Sequence, residues 1–183
     1  MQDYLMTLLG GLAITLQLTA FSLLLGVLMA AGMTWVLERR IPVATQLVQL
    51  WVLIFTGTPL LIQIFLIYYG PGQFEWLKAG PLWPLLKQPW FCAVLALGFN
   101  TAAYSTRLFK GALDAIPAGE VEACRALGFS AGQTLWMKAR HAARRLVPAY
   151  SNEVILVLKG SSLASTITIM DIMGLAQRLN AQT

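Results

Sequence analysis

The chain has 183 residues and a formal net charge of +5, with 57% hydrophobic and 11% charged residues. A soluble domain carries about 25% charged residues, so this composition excludes an ordinary soluble domain, and no polar stretch is long enough to enclose a core of its own. Nearly all the basic residues flank apolar segments, which argues against nucleic acid as the partner of the positive charge.

The first predicted element is an uncharged run at 12–37. At about 1.5 Å per helical residue it is long enough to cross a hydrocarbon core about 30 Å thick. Asp3 is the only charge before it, so it lacks the basic head of a signal peptide and reads as a retained span. Gly26, Ala30, Ala31 and Gly32 give it a side of small residues for close helix packing. Glu38-Arg39-Arg40 stops it at the headgroups.

A second uncharged run covers 47–69, with Thr56-Gly57-Thr58-Pro59 in its middle. Pro59 lacks an N–H, so the helix bends or unwinds there. Such a break marks a substrate path or a kink that improves packing; both readings stand. Tyr68 and Tyr69 form an interfacial cuff. Residues 70–90 are rich in Pro and Trp and read as a loop with a short surface helix, not a span. The third predicted span is 91–109. Asn100 at its middle must find a partner, either in helix packing or along a lined path.

Residues 114–145 are polar enough to leave the bilayer. Pro117 opens a short helix, Glu120 and Glu122 suit its positive end, and Glu122 is spaced to pair with Arg125. Gly128 permits a left-handed exit, and Ser130 with Gln133 forms a capping-box signature for a second helix. A short exposed helix fixed between membrane segments suits docking of a cytoplasmic partner; a solvated loop with ordinary caps is the alternative. The fourth predicted span, 146–170, is the weakest because Glu153 and Lys159 interrupt it.

Arg39, Arg40, Arg107, Lys110, Arg125, Lys138, Arg140, Arg144 and Arg145 fall on one side of these spans. The positive-inside rule makes that side cytoplasmic and the N-terminus external. The whole chain, 1–183, thus reads as one all-α, polytopic membrane domain. Cys92, Cys124 and the lone His141 show no metal-ligand or disulfide spacing. No nucleophile–base set suggests an enzyme, and no charged ring or filter-like loop suggests a channel.

The stretch Glu120-Val121-Glu122-Ala123-Cys124-Arg125-Ala126-Leu127-Gly128 resembles the EAA loop of ABC-transporter permeases, specifically importers of polar amino acids. Phe55-Thr56-Gly57-Thr58-Pro59-Leu60-Leu61-Ile62-Gln63, Asn100-Thr101-Ala102-Ala103-Tyr104 and Lys159-Gly160-Ser161-Ser162-Leu163-Ala164 are similar to three further family segments, in family order. Within the family the likeness is strongest to the M-type permeases of bacterial arginine importers, through Leu60–Phe74 and Tyr150-Ser151-Asn152-Glu153.

The resemblance implies a type I ABC importer permease fold with four of the usual five transmembrane helices, in the bacterial inner membrane. It implies a transport subunit that binds no cofactor and hydrolyses no ATP, with ATP and Mg on a partner ATPase dimer. A second permease, identical or sister, and a periplasmic amino-acid-binding protein complete the expected assembly. Glu120, Glu122, Ala123, Cys124 and Gly128 are the expected ATPase-coupling residues, with Ala123 and Cys124 lying close in the ATPase groove.

Arginine is the expected substrate, and Glu153 the acceptor for its guanidinium. The competing reading pairs Glu153 with Lys159 or a cytoplasmic-side arginine. Thr56, Thr58, Asn100 and Ser162 are further pathway candidates, and Gly57 and Pro59 are structural. Ala139-Arg140 stands where the family has Leu-Pro. A non-transporting membrane scaffold or an inactive, truncated permease is the alternative function.

Overall fold

The computed structural model describes residues 2–181 and is built entirely of helices. Helix α1 (Gln2–Arg39) is followed by α2 (Pro42–Gly57), α3 (Leu60–Tyr69), α4 (Glu75–Lys78), α5 (Trp83–Leu86), α6 (Pro89–Asp114), α7 (Ala118–Ala126), α8 (Ala131–Gly160) and α9 (Ile172–Asn180). Short 3-10 turns occupy Pro71–Gln73 and Ser161–Ile167.

The most extensive packing is between α1 and α6. Small residues make it possible. A Cβ placed on Gly26 would stand 2.2 Å from Cγ2 of Thr101, so only glycine lets α1 approach α6 this closely. Leu18 of α1, Ile64 of α3, Ala93 and Ala96 of α6, and Ala164 and Ile167 of the second 3-10 turn form the main core. A smaller cluster of Leu113, Ile116 and Ala142 joins the end of α6 to α8. On the other faces of α1 and α2, Leu16, Leu24, Leu28, Leu47, Leu50 and Leu53 are exposed, as suits contact with lipid.

The expectation of four membrane spans does not hold. Among the described residues, Leu8–Arg39 is the one single helix long and apolar enough to cross a membrane, and two bent helix pairs raise that number to three at most. The first pair joins α2 to α3 through Gln73 with a 108° bend, and the second joins Ala131–Ile167 to α9 with a 51° bend. The predicted third span, 91–109, lies in α6, which is long but not apolar enough. Its Asn100, Thr101, Ser105 and Thr106 lower its hydropathy, and all but Asn100 are buried against neighbouring helices. The sequence reading weighed Asn100 but not the combined effect of Thr101, Ser105 and Thr106. The predicted 146–170 span is also redrawn: α8 begins at Ala131, runs without interruption past Ala139-Arg140 and Pro148, and ends at Gly160.

Candidate functional site: a broken helix, a buried carboxylate and an exposed coupling helix

The α2–α3 break falls at Thr58 and Pro59, both extended in backbone conformation. Pro59 supplies no N–H and its ring opposes continuation of the helix, so carbonyls near the break need other donors. Side chains provide them. Gln63 Nε2 donates to Phe55 O at 2.9 Å, Thr58 O at 3.0 Å and Thr58 Oγ1 at 2.8 Å, sharing its two hydrogens among these acceptors. Asn100 Nδ2 donates to Phe55 O at 3.1 Å and to Gln63 Oε1 at 3.0 Å. Thr56 Oγ1 and Thr58 Oγ1 turn back on their own helix, donating to Val52 O and Ile54 O. Gln63 is buried and is the most connected residue of this network. The sequence reading did not single it out. It was nonetheless visible as the sole amide in the apolar run of α3.

On the other side of Asn100 lies a cavity of about 210 Å³, lined by Leu60, Leu97, Asn100, Tyr104, Glu153 and Val157 among others. Glu153 is buried, and its Oε1 accepts a 2.6 Å hydrogen bond from Thr101 Oγ1. Among the described residues no lysine or arginine reaches it within ion-pair distance. Pairing with Lys159 or a cytoplasmic-side arginine is therefore not what this structure contains. A buried carboxylate with one hydroxyl donor still has acceptor capacity for a positive ligand. Of the other pathway candidates, Asn100 joins Glu153 at the cavity, whereas Thr56 and Thr58 stay at the break. Ser162 Oγ donates to Lys159 O and does not line the cavity.

The coupling candidates occupy α7 and the turn after it. Glu122 and Ala123 are exposed, whereas Cys124 is buried within this chain. The helix phase thus leaves Ala123, but not Cys124, open on the surface. The predicted Glu122–Arg125 pair is absent from the ion pairs of the described residues; Glu120 instead faces His141 at 3.3 Å. Gly128, at φ +75, makes the left-handed exit that costs glycine least. Ser130 and Gln133 then exchange both capping-box hydrogen bonds. Leu127, Phe129 and Trp136 expose apolar surface around this turn, a feature the motif reading missed.

An ion cluster ties this region to the bundle. Glu38 at the end of α1 meets Lys138 of α8 at 2.5 Å and Lys110 of α6 at 3.1 Å, and Lys110 also pairs with Asp114. Partial burial pulls the Lys110 pKa down, but its hydrogen bonds to Asp114 and Glu38 outweigh that and hold it above the ordinary lysine value. Arg145 adds a 2.9 Å hydrogen bond to Ala115 O.

The chain is thus a bundle of bent helices with a short exposed helix between α6 and α8. Residues 22–180 match the family described as the binding-protein-dependent transport system inner membrane component, and the chain belongs to that family. It is 52% identical to the arginine ABC transporter permease protein ArtM of Haemophilus influenzae, over 97% of this chain and 78% of that protein. With the ArtM protein of Escherichia coli K12 it shares 50% identity over 100% of this chain and 83% of that protein. A crystal structure of an amino acid ABC transporter with histidines superposes with a TM-score of 0.87 and 28% identity, covering 99% of this chain and 81% of that one.

Proposed function

We propose that this chain is the permease subunit of an ATP-driven importer of cationic amino acids, with arginine as its substrate. The observation that carries the substrate reading is Glu153: a buried carboxylate at a cavity, hydrogen-bonded to Thr101 and without a cationic partner among the described residues. A guanidinium satisfies both the charge and the remaining acceptor sites of such a group. The similarity to arginine permeases favours the same substrate.

In this reading a cytoplasmic ATPase dimer docks on α7 and the following turn, where Glu122, Ala123, Leu127 and Phe129 are exposed. Glu120 and Gly128 shape that element, and Cys124 anchors it from within. A second permease subunit and a periplasmic binding protein complete the importer. The N-terminus faces the periplasm, by the clustering of arginine and lysine on the opposite side; its first residue lies outside the described residues.

Uptake of arginine and of a neutral analogue by the assembled transporter tests the role of Glu153. Glu153→Gln is expected to lower arginine uptake roughly tenfold or more, the loss of a hydrogen-bonded charged contact, and to shift the ratio towards the neutral analogue. Unchanged rates and an unchanged ratio at normal protein level would eliminate Glu153 as the selectivity group.

A further inference from the structure

We propose that Gln63 is a positioning residue that couples occupancy of the Glu153 cavity to the conformation of the α2–α3 break; this rests on the cavity being the substrate site. Asn100 belongs to both structures. Its Nδ2 holds Phe55 O and Gln63 Oε1, while the residue itself lines the cavity beside Glu153. No donor among the described residues reaches Asn100 Oδ1, which gives the cavity a second acceptor for a ligand rich in N–H groups. A guanidinium seated between the Glu153 carboxylate and the Asn100 amide draws that amide towards itself. The hydrogen bonds from Asn100 Nδ2 then weaken together, because both start from the same nitrogen.

Gln63 converts that change into a backbone event. It is the acceptor of one Asn100 hydrogen bond and the donor to Phe55 O, Thr58 O and Thr58 Oγ1. When Asn100 moves, the Gln63 amide loses the contact that fixes its plane, and its hold on the break loosens. The flanking helices already diverge by 108°, and Pro59 leaves the break without the regular backbone ladder that would resist a change of angle. An empty cavity therefore keeps the break fastened, and a cationic substrate releases it. The differential contact with the two states is the substrate's bond to Asn100, available in full only when the amide has turned.

Gln63→Leu removes every one of these hydrogen bonds at similar volume, whereas Gln63→Glu keeps an acceptor for Asn100 and loses the donors to the break. Both are measured in the assembled transporter in proteoliposomes. The expected result is arginine binding within about threefold of the native value, unchanged basal ATPase activity, and loss of most of the arginine-dependent stimulation of that activity. Native stimulation in both variants would overturn the proposal.

A second measurement needs no change at Gln63. Spin labels at the exposed positions Leu53 and Ile62, with Cys92 and Cys124 replaced by alanine, report the distance across the break. Saturating arginine is expected to shift that distance by several ångströms; an unshifted distribution in a protein that binds arginine would refute the coupling. Failure to bind arginine at all would refute the substrate reading instead.

Discussion

At the residue scale, the path from sequence to function runs through contacts too close for any larger group. Gly26 lies against Thr101, and Thr101 donates the one hydrogen bond that the buried Glu153 carboxylate accepts among the described residues. A methyl at position 26 would push on a side chain that is β-branched and already committed to that carboxylate. Overpacking of this kind costs about 1–3 kcal/mol, while replacing a helical glycine by alanine returns about 1 kcal/mol at most. Gly26→Ala is therefore expected to destabilise the protein by up to about 2 kcal/mol, seen as a lower unfolding midpoint in detergent. A raised midpoint would show that α1 and α6 are not limited by this contact. The small-residue side of α1 was legible in the sequence, because Gly26, Ala30, Ala31 and Gly32 recur within two turns. Its partner was not, since nothing in a single helix tells which residue of another helix it meets. The same limit hid Thr101 and Gln63, whose roles depend on neighbours far away in the chain.

The elements differ in how openly the sequence declares them. Helix α1 is unmistakable as a long uncharged run, and Pro59 announces the break between α2 and α3 because its chemistry forbids regular helix there. The size of the bend, and the amides that cover it, come from packing and are invisible to local pattern. Helix α6 misled the reading for a physical reason. Its polar residues turn towards other helices, so it sits among apolar neighbours without being strongly apolar itself. The helix boundary at Ala131 was signalled by the Ser130–Gln133 capping box, but its continuation to Gly160 was not. For α7, spacing located the helix but could not set its phase, which puts Cys124 inside and leaves Glu122 and Ala123 outside. That phase makes a clear test. Glu122→Arg reverses an exposed charge on the proposed docking face, and like charges brought together at an interface cost several kcal/mol. Recovery of the ATPase on co-purification from detergent is expected to fall to less than about a tenth of native, with membrane insertion unaltered. Full recovery would remove Glu122 from the contact.

On the scale of the whole molecule, two features share helix α8, and an ion cluster fastens that helix to α1. The cavity with Glu153 lies between α3, α6 and α8, and the exposed α7 turn precedes α8. Glu38 binds the end of α1 to both α6 and α8 through Lys110 and Lys138. Helix α8 runs from the cap at Ser130 to Gly160 and carries Glu153 on the way, with Pro148 inside it, so the turn after α7 and the cavity share one helix. The alternation of basic flanks and apolar runs made the membrane setting readable, whereas the shared helix was obscured by treating 114–145 and 146–170 as separate units. Reconstitution is the decisive experiment: proteoliposomes carrying this chain with the proposed ATPase and second permease subunit, identical or sister, supplied with arginine-loaded binding protein. ATP-dependent accumulation of labelled arginine, lost when this chain is omitted and strongly reduced by Glu122→Arg, is the expected outcome. Arginine accumulation that proceeds equally well without this chain would contradict its role as the permease.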